Sequence, residues 1–426
     1  MSKIRTLKEF SVLKTGPFGT QLKASEYVEE GIPVINVKNI GYGNIVRNNL
    51  DYISESTRDR LSEHVLRSGD IVFGRKGSVD RHCLITDAED GWFQGSDCLR
   101  VRITDSSVNP RFVSYYLLSS HVLKSINNAA VGSTMASINM DIIGDIKIML
   151  PPYEEQCKIA SVLKALDDKR AINAAVNDNL DQQAKLLYDY WFLQFEFPDG
   201  KGKPYKSSGG AMTWNNQLHR KIPLGWSVTT LKGLFNIERG VSYTSKDIES
   251  AKGTPMINLA NVDTNRNYKP GELKYYSGIG AKKSKLQAYD LLIACTDLTR
   301  NADIVGCPIL VPADARTYIY SMDMAKITSA TNKLDEMYLY MTLRTDFYHN
   351  YIKRWASGTN VLHLNLEGLD WYTTWLPPVD LQKKFSDIVK GIHKQKSILM
   401  EENEKLTSLR NWLLPMLMNG QASIGF

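Results

Sequence analysis

A chain of 426 residues, 43% hydrophobic and 23% charged, is too long for a single core and has the composition of an ordinary globular protein of two or three domains. Its net charge of +6 permits a polyanionic partner without requiring one. No apolar run approaches the roughly eighteen residues that span a bilayer, and no apolar signal region follows Met1-Ser2-Lys3-Ile4-Arg5, so neither a membrane partner nor export is expected. Five scattered cysteines (Cys83, Cys98, Cys157, Cys295, Cys307) form no C-x-x-C pair, which points to reduced thiols in a cytoplasmic protein and away from structural zinc.

Residues 1–149 read as a mixed α/β domain. Gly31-Ile32-Pro33-Val34-Ile35 and Gly69-Asp70-Ile71-Val72-Phe73 are short β-rich runs introduced by glycine, and Phe112 to Leu123 places aromatics at helical spacing. Three polar, glycine-marked loops separate such runs: Thr15 to Thr20, Gly74-Arg75-Lys76-Gly77-Ser78, and Gly132-Ser133-Thr134.

Residues 150–193 open Leu150-Pro151-Pro152-Tyr153-Glu154-Glu155-Gln156 and then run to Trp191 without glycine or further proline. The prolines suit a helix entry and the two glutamates its positive dipole end. The pattern predicts one helix about 60 Å long, at about 1.5 Å per residue. Residues 194–225, with Pro198, Gly200, Gly202, Pro204, Gly209 and Gly210, read as a linker.

Residues 226–375 replay the first domain, and residues 376–426 replay the helix. Leu376-Pro377-Pro378-Val379-Asp380-Leu381-Gln382 matches the earlier opening at an offset of 382 − 156 = 226 residues, which also relates Gly132-Ser133-Thr134 to Gly358-Thr359-Asn360. In the second helix Phe385, Ile388, Ile392, Leu399, Leu406, Leu409 and Leu413 recur at three- and four-residue steps, the expected seam of a coiled coil with the first helix, whose own seam carries Lys169, Asn173 and Gln183. The frame repeats while loop contents differ: Arg75-Lys76-Gly77-Ser78 faces Thr296-Asp297-Leu298-Thr299-Arg300-Asn301. Two domains sharing a scaffold and differing in their loops are built to touch two different targets. The fold expected is therefore α+β: two mixed α/β recognition domains related by internal repeat and separated by two long antiparallel coiled-coil-like helices.

The order domain, Leu-Pro-Pro-x-x-x-Gln helix, domain, Leu-Pro-Pro-x-x-x-Gln helix resembles the DNA specificity subunit of Type I restriction–modification enzymes. So do the helix endings Leu186-Leu187-Tyr188-Asp189-Tyr190-Trp191-Phe192 and Leu409-Arg410-Asn411-Trp412-Leu413-Leu414-Pro415 and the re-entry Ile222-Pro223-Leu224-Gly225-Trp226. The resemblance covers essentially the whole chain. It implies a non-catalytic subunit that reads a split target in double-stranded DNA, one half per domain, with the helices setting the gap. It also implies docking of two adenine methyltransferase subunits, which carry S-adenosylmethionine, and of ATP- and Mg-dependent restriction/translocase subunits. No cofactor is expected in this chain.

Each stretch that resembles a catalytic motif lacks a part its chemistry needs. Leu150-Pro151-Pro152-Tyr153 resembles the loop with which amino-methyltransferases grip a base, but leucine cannot accept the hydrogen bond that chemistry needs. Asp199-Gly200-Lys201 and Glu249-Ser250-Ala251-Lys252 lack the strand context of a nuclease metal site, and no phosphate-binding loop occurs. His82 and Cys83, adjacent in a strand, should point to opposite faces. For reading bases, arginine and lysine suit guanine and hydroxyls suit any base; the candidates are Arg75, Lys76, Ser78 and Thr134 in the first domain and Tyr243, Thr299, Arg300 and Thr359 in the second. Tyr188, Tyr190, Trp191 and Trp412 exceed what a two-stranded seam can cover and are candidates for partner docking. The other reading of the same pattern is a protein-interaction adaptor with tandem binding domains on a coiled-coil scaffold.

Overall fold

The structure, a computed structural model, describes residues 2–130, 136–249, 253–271, 273–278, 284–299 and 301–424. It divides into two units, Met1–Arg170 with Lys405–Phe426 and Ala171–Glu404, so each takes one end of each long helix. In the first unit one sheet runs Ser11–Thr15, Cys98–Ile103, Ile71–Gly74, His82–Leu84, Tyr42–Gly43, and another runs Tyr27–Val28, Asp51–Ile53, Ile32–Ile35, Phe93–Gln94. The second unit repeats the order with Phe235–Arg239, Met324–Ser329, Leu291–Ala294, Pro308–Leu310, and with Ile248–Glu249, Lys274–Tyr276, Thr254–Ile257, Ile319–Tyr320. The apolar runs seen in the sequence are central strands buried on both faces. Ile71 and Phe73 enter one core and Val72 the other, as Leu291 and Ile293 do opposite Leu292 and Ala294, because side chains alternate along a strand.

Each domain is closed by pairing its first strand with its last: Lys3–Thr6 with Lys147–Leu150, and Ser227–Thr230 with Thr373–Leu376. Leu150 and Leu376 therefore finish strands, and the helices start later than the sequence pattern suggests, at Tyr153 and Val379. Proline lacks the N–H and holds its predecessor extended, so the Pro-Pro pair is the corner between strand and helix.

The repeated glutamine has a structural task. Gln156 Oε1 accepts from the backbone N–H of Asn109 at 2.9 Å, while its Nε2 donates to the carbonyls of Ser107 and Pro151 at 3.2 and 2.8 Å. Gln382 does the same with Asp335 N, Lys333 O and Pro377 O at 2.9, 3.0 and 2.8 Å. All three partners are related by the 226-residue offset, and both side chains are buried. Each glutamine thus ties the corner to the turn that caps a neighbouring helix, Pro110–Leu117 or Glu336–Leu343. Gln382→Ala, which removes the partner of one buried and two part-buried backbone groups, is expected to cost about 2–3 kcal/mol, measurable as a lower midpoint in urea at unchanged slope.

The first long helix, Tyr153–Tyr188, ends in a π turn at Asp189–Leu193; the second, Val379–Met418, continues through Pro415. Within the second unit the helices run antiparallel: Asn173 Nδ2 donates to Glu402 Oε2 and Asn403 Oδ1 at 2.8 and 3.0 Å, Lys396 meets Asp181 at 2.6 Å, and the rings of Phe192 and Phe385 lie 4.9 Å apart. In the first unit Arg410 meets Asp167 at 3.0 Å in the same sense. The seam differs from the expected one. Ile388 and Leu409 are exposed, while Gln382, Phe385, Ser386, Val389, His393 and Ser397 are buried. The buried stripe faces the second domain as well as the other helix, and the domain has backbone groups to satisfy: Val311 O lies 3.1 Å from His393 Nε2, and Ala313 N donates to Ser397 Oγ.

The segment expected as a linker is packed into the second unit. Met212–Asn215 and Arg220–Pro223 form a hairpin, Phe197 stacks on Tyr205 and Trp226 at 4.5 and 5.4 Å, and Phe195 is buried against Trp226 and Trp375. Its glycines and prolines supply turns between aromatic anchors. Tyr188 and Trp191 join this core at 2% and 7% exposure, in ring contact with Phe385, so they are not surface residues available for docking. Tyr190 and Trp412 remain 40% and 59% exposed. Among the described residues, no helix is long and apolar enough to cross a membrane.

Candidate nucleic-acid interface

In the first unit one segment, Gly95–Cys98, roots two loops. Gly16 N donates to Cys98 O at 2.9 Å, and a side chain on Gly16 would meet Gly95 O at 2.0 Å, so only glycine lets the Pro17-Phe18 loop leave here. Arg75 N donates to Asp97 O at 2.8 Å, and Arg75 O and Ala136 O accept from Ile138 N and Gly77 N at 3.0 and 2.9 Å. The backbone of Arg75-Lys76-Gly77 is therefore held from both sides. Lys76 Nζ lies 3.0 Å from Asp97 Oδ1, an exposed pair that contributes little to stability but fixes a direction. The Arg75 guanidinium lies over the Phe18 ring at 5.0 Å, and Arg81 over Tyr42 at 5.3 Å. Ser78 is half-buried, its carbonyl accepting from Arg81 N.

The second unit builds the same frame from the matching residues. Gly240 N donates to Met324 O, and a side chain on Gly240 would meet Tyr320 O at 2.2 Å. Cys295 N donates to Asp323 O at 2.7 Å, Leu364 N to Cys295 O at 2.9 Å, and Thr296 Oγ1 to Asp323 Oδ1 at 3.1 Å. Cys295, fully buried, therefore stands where the first unit has Arg75, and Thr296 where it has Lys76. The loop beyond, residues 295–307 against 75–81, is longer and organised by buried Asp297, which accepts from the backbone N–H groups of Thr299, Ile304 and Val305 at 2.6, 2.7 and 2.9 Å. Thr299 Oγ1 accepts from Asp303 N, so this hydroxyl is partly engaged in holding its own loop. Thr359 is exposed in the turn between Ala356–Ser357 and Leu362–Leu364, a pair whose second strand also pairs with Thr296–Asp297 in one small sheet. Gly358 there has φ +135° and no room for a side chain beside Val361 O. Tyr243 accepts from Lys274 Nζ at 3.0 Å.

Arg75, Lys76 and Ser78 thus share one loop in the first unit, and Thr299 and Thr359 lie on loops of one small sheet in the second, with Tyr243 in the loop rooted at Gly240. Thr134 and Arg300 lie outside the described residues. Sequence reasoning missed Asp97 and Asp323 as loop anchors, although the 226-residue spacing of two matching carboxylates was there to find, and it missed Tyr42 and Arg81 altogether.

The catalytic decoys take structural roles. Asp199 Oδ1 accepts from the N–H groups of Lys201 and Lys203 and closes its own turn. Residues 250–252 of the second carboxylate pattern lie outside the described residues. His82 Nε2 lies 2.9 Å from Ser114 Oγ, and burial pulls its pKa down to about 4, leaving it neutral near pH 7. Burial pushes the neighbouring Cys83 thiol well above its ordinary value, the opposite of an activated nucleophile. Among the described residues no three His, Cys, Asp or Glu side chains gather as a metal site.

These features meet known proteins at one place. The chain is 24% identical over 322 residues to the Type I restriction enzyme MjaIX specificity subunit of Methanocaldococcus jannaschii, spanning 73% of this chain and 68% of that one. It is 23% identical over 442 aligned positions to the HindI specificity subunit of Haemophilus influenzae, spanning 91% and 94%. Its fold is shared with the S subunit of a Type I restriction–modification system from M. genitalium, at a TM-score of 0.61 and 16% identity over 98% of this chain and 96% of that one. A family model described as the Type I restriction modification DNA specificity domain matches twice, over residues 2–182 and 223–408, one copy for each turn of the internal repeat. With both copies matched over most of its length, the chain belongs to the family of Type I restriction–modification DNA specificity subunits.

Proposed function

We propose that each domain reads one half of a split, asymmetric DNA target, with the long helices setting the unread gap, and that the chain itself performs no chemistry. The observation that carries this reading is the contrast between frame and loop. The Gly16, Asp97 and Ile138 bonds recur at Gly240, Asp323 and Leu364, while Arg75-Lys76 is replaced by Cys295-Thr296 and a longer loop. Two readers of one sequence would keep the loops as well as the frame. Arg75, Lys76, Ser78 and Thr134 are assigned to one half-site and Tyr243, Thr299, Arg300 and Thr359 to the other. Two adenine methyltransferase subunits with S-adenosylmethionine, and restriction/translocase subunits using ATP and Mg, supply catalysis in the cytoplasm. Docking is assigned to the exposed Tyr190 and Trp412. Trp412→Ala is expected to weaken methyltransferase association roughly tenfold or more without lowering the melting temperature of this chain, whereas unchanged co-purification rules the surface out.

The test is to map methylated adenines in host DNA. A two-part target with a fixed gap is the expected result, and a continuous or absent target refutes it. Binding of the assembled complex to duplex DNA should also weaken by about a thousandfold between roughly 50 and 200 mM salt, because phosphate contacts release counterions. An interaction adaptor would show neither.

A further inference from the structure

We infer that Arg75, laid against Phe18, reads a guanine through its N7 and O6 in the major groove, so that the half-site of the first domain contains a guanine contacted by this side chain. The inference rests on the reading of each domain as the reader of one half-site, and names a base within it. Four observations carry it. First, Arg75 is uncommitted: among the described residues no hydrogen bond or ion pair reaches its guanidinium, whereas Arg5 is spent on Asp105, Arg47 on Glu89, Arg60 on Glu26 and Arg102 on Asp70. Second, it is already partly desolvated, with Nε buried and without a partner, so binding adds partners at the two terminal nitrogens without the full desolvation that a water-exposed arginine undergoes.

Third, its position is constrained. The Phe18 ring lies 5.0 Å from the guanidinium carbon and is itself 52% exposed, and the loop beneath is pinned by Gly16 on one side and by the Asp97 and Ile138 backbone bonds on the other. A guanidinium placed over a ring keeps its outer edge as a two-pronged donor, the shape that the two acceptors of guanine match and that the ammonium of lysine cannot. Fourth, the apolar ring beside it suits a groove lined by base edges better than a row of phosphates. The second domain places buried Cys295 at the matching point, so this contact belongs to the first half-site alone.

The experiment uses the chain assembled with its methyltransferase partner on duplexes carrying the mapped target, with each guanine in turn replaced by 7-deazaguanine, which lacks the N7 acceptor. With the native chain, methyl transfer is expected to slow about ten- to hundredfold at one guanine of one half-site. Arg75→Ala should slow transfer on the ordinary target by a similar factor, show no added loss with 7-deazaguanine at that position, and accept adenine there within a few-fold of guanine. Arg75→Lys should behave like Arg75→Ala, and Phe18→Ala should lose part of the discrimination. If the native chain tolerates 7-deazaguanine at every guanine, the inference is overturned without recourse to any variant. It is equally overturned if Arg75→Ala slows transfer uniformly at all base substitutions, as loss of a phosphate contact would. A target that is not split at all would instead defeat the half-site reading itself, whatever Arg75 does.

Discussion

Replacing Asp181 with alanine is expected to destabilise the second unit by about 3–5 kcal/mol, because it leaves two buried cations without their partner. Asp181 Oδ2 and Oδ1 receive both terminal nitrogens of Arg344, at 2.6 and 2.9 Å, and Lys396 Nζ reaches Oδ1 at 2.6 Å. All three side chains are largely buried. Burial alone would push the Asp181 carboxyl up, but Arg344 and Lys396 outweigh it and hold the group well below the usual carboxylate range. Burial pulls Lys396 below its ordinary value, and Asp181 resists that. Because the folded carboxyl has the depressed pKa, its stabilisation is fully present above the unfolded value near pH 4, begins to fall below it, and is gone only once the pH passes the much lower folded value. Urea unfolding of the native chain and Asp181→Ala between about pH 3 and 7 checks this: the gap between their midpoints should close towards acid. A constant gap would show that the carboxylate charge is not what holds the cluster.

That cluster also marks where sequence reading stops. Arg344 and Asp181 are 163 positions apart, and nothing in either neighbourhood announces the other. What local pattern does announce is the frame: the Gln156 and Gln382 openings, the glycine-led strands and the 226-residue repeat all survive, because each is fixed by a local constraint of corner, turn or strand. Apolar spacing gave the helices but not the face they bury, since Ile388 and Val389 are equally apolar and only the domain packed alongside decides that Val389 goes in. The same holds for Tyr188 and Trp191, whose size suggested a docking surface and whose partners, Tyr338 and Phe385, lie far along the chain. Residues 194–225 show the converse error, in which glycine and proline content hid the three aromatics Phe195, Phe197 and Tyr205, which with Trp226 anchor the segment. In the candidate site the loops were legible from their glycines, but the absence of an ion pair to Arg75 among the described residues and the burial of Cys295 at the matching point of the other domain required coordinates.

If the helices are the ruler of the target, lengthening both should change the gap and nothing else. Four helix-forming residues inserted after Ile172 in the first helix and after Asn403 in the second face one another across the pair, and they leave Asn173 with its partners Glu402 and Asn403 on the same side of the insertion. Each insertion adds about 6 Å at 1.5 Å per residue, nearly two base pairs at about 3.4 Å each, and turns the distal part of the helix by only about 40°. The Asp181 cluster and the Asp167–Arg410 pair are untouched, so both units keep their own cores. Some stability is lost where the three- and four-residue steps shift past one another. Mapping methylated adenines in cells carrying the doubly extended chain should return the same two half-sequences with one or two more base pairs between them, since the loops holding Arg75, Thr299 and Thr359 are not altered. Extending one helix alone misregisters the pair and should abolish methylation. Methylation by the doubly extended chain at the original gap would show that the distance is set elsewhere, and altered half-sequences would show that the loops do not read independently of the helices.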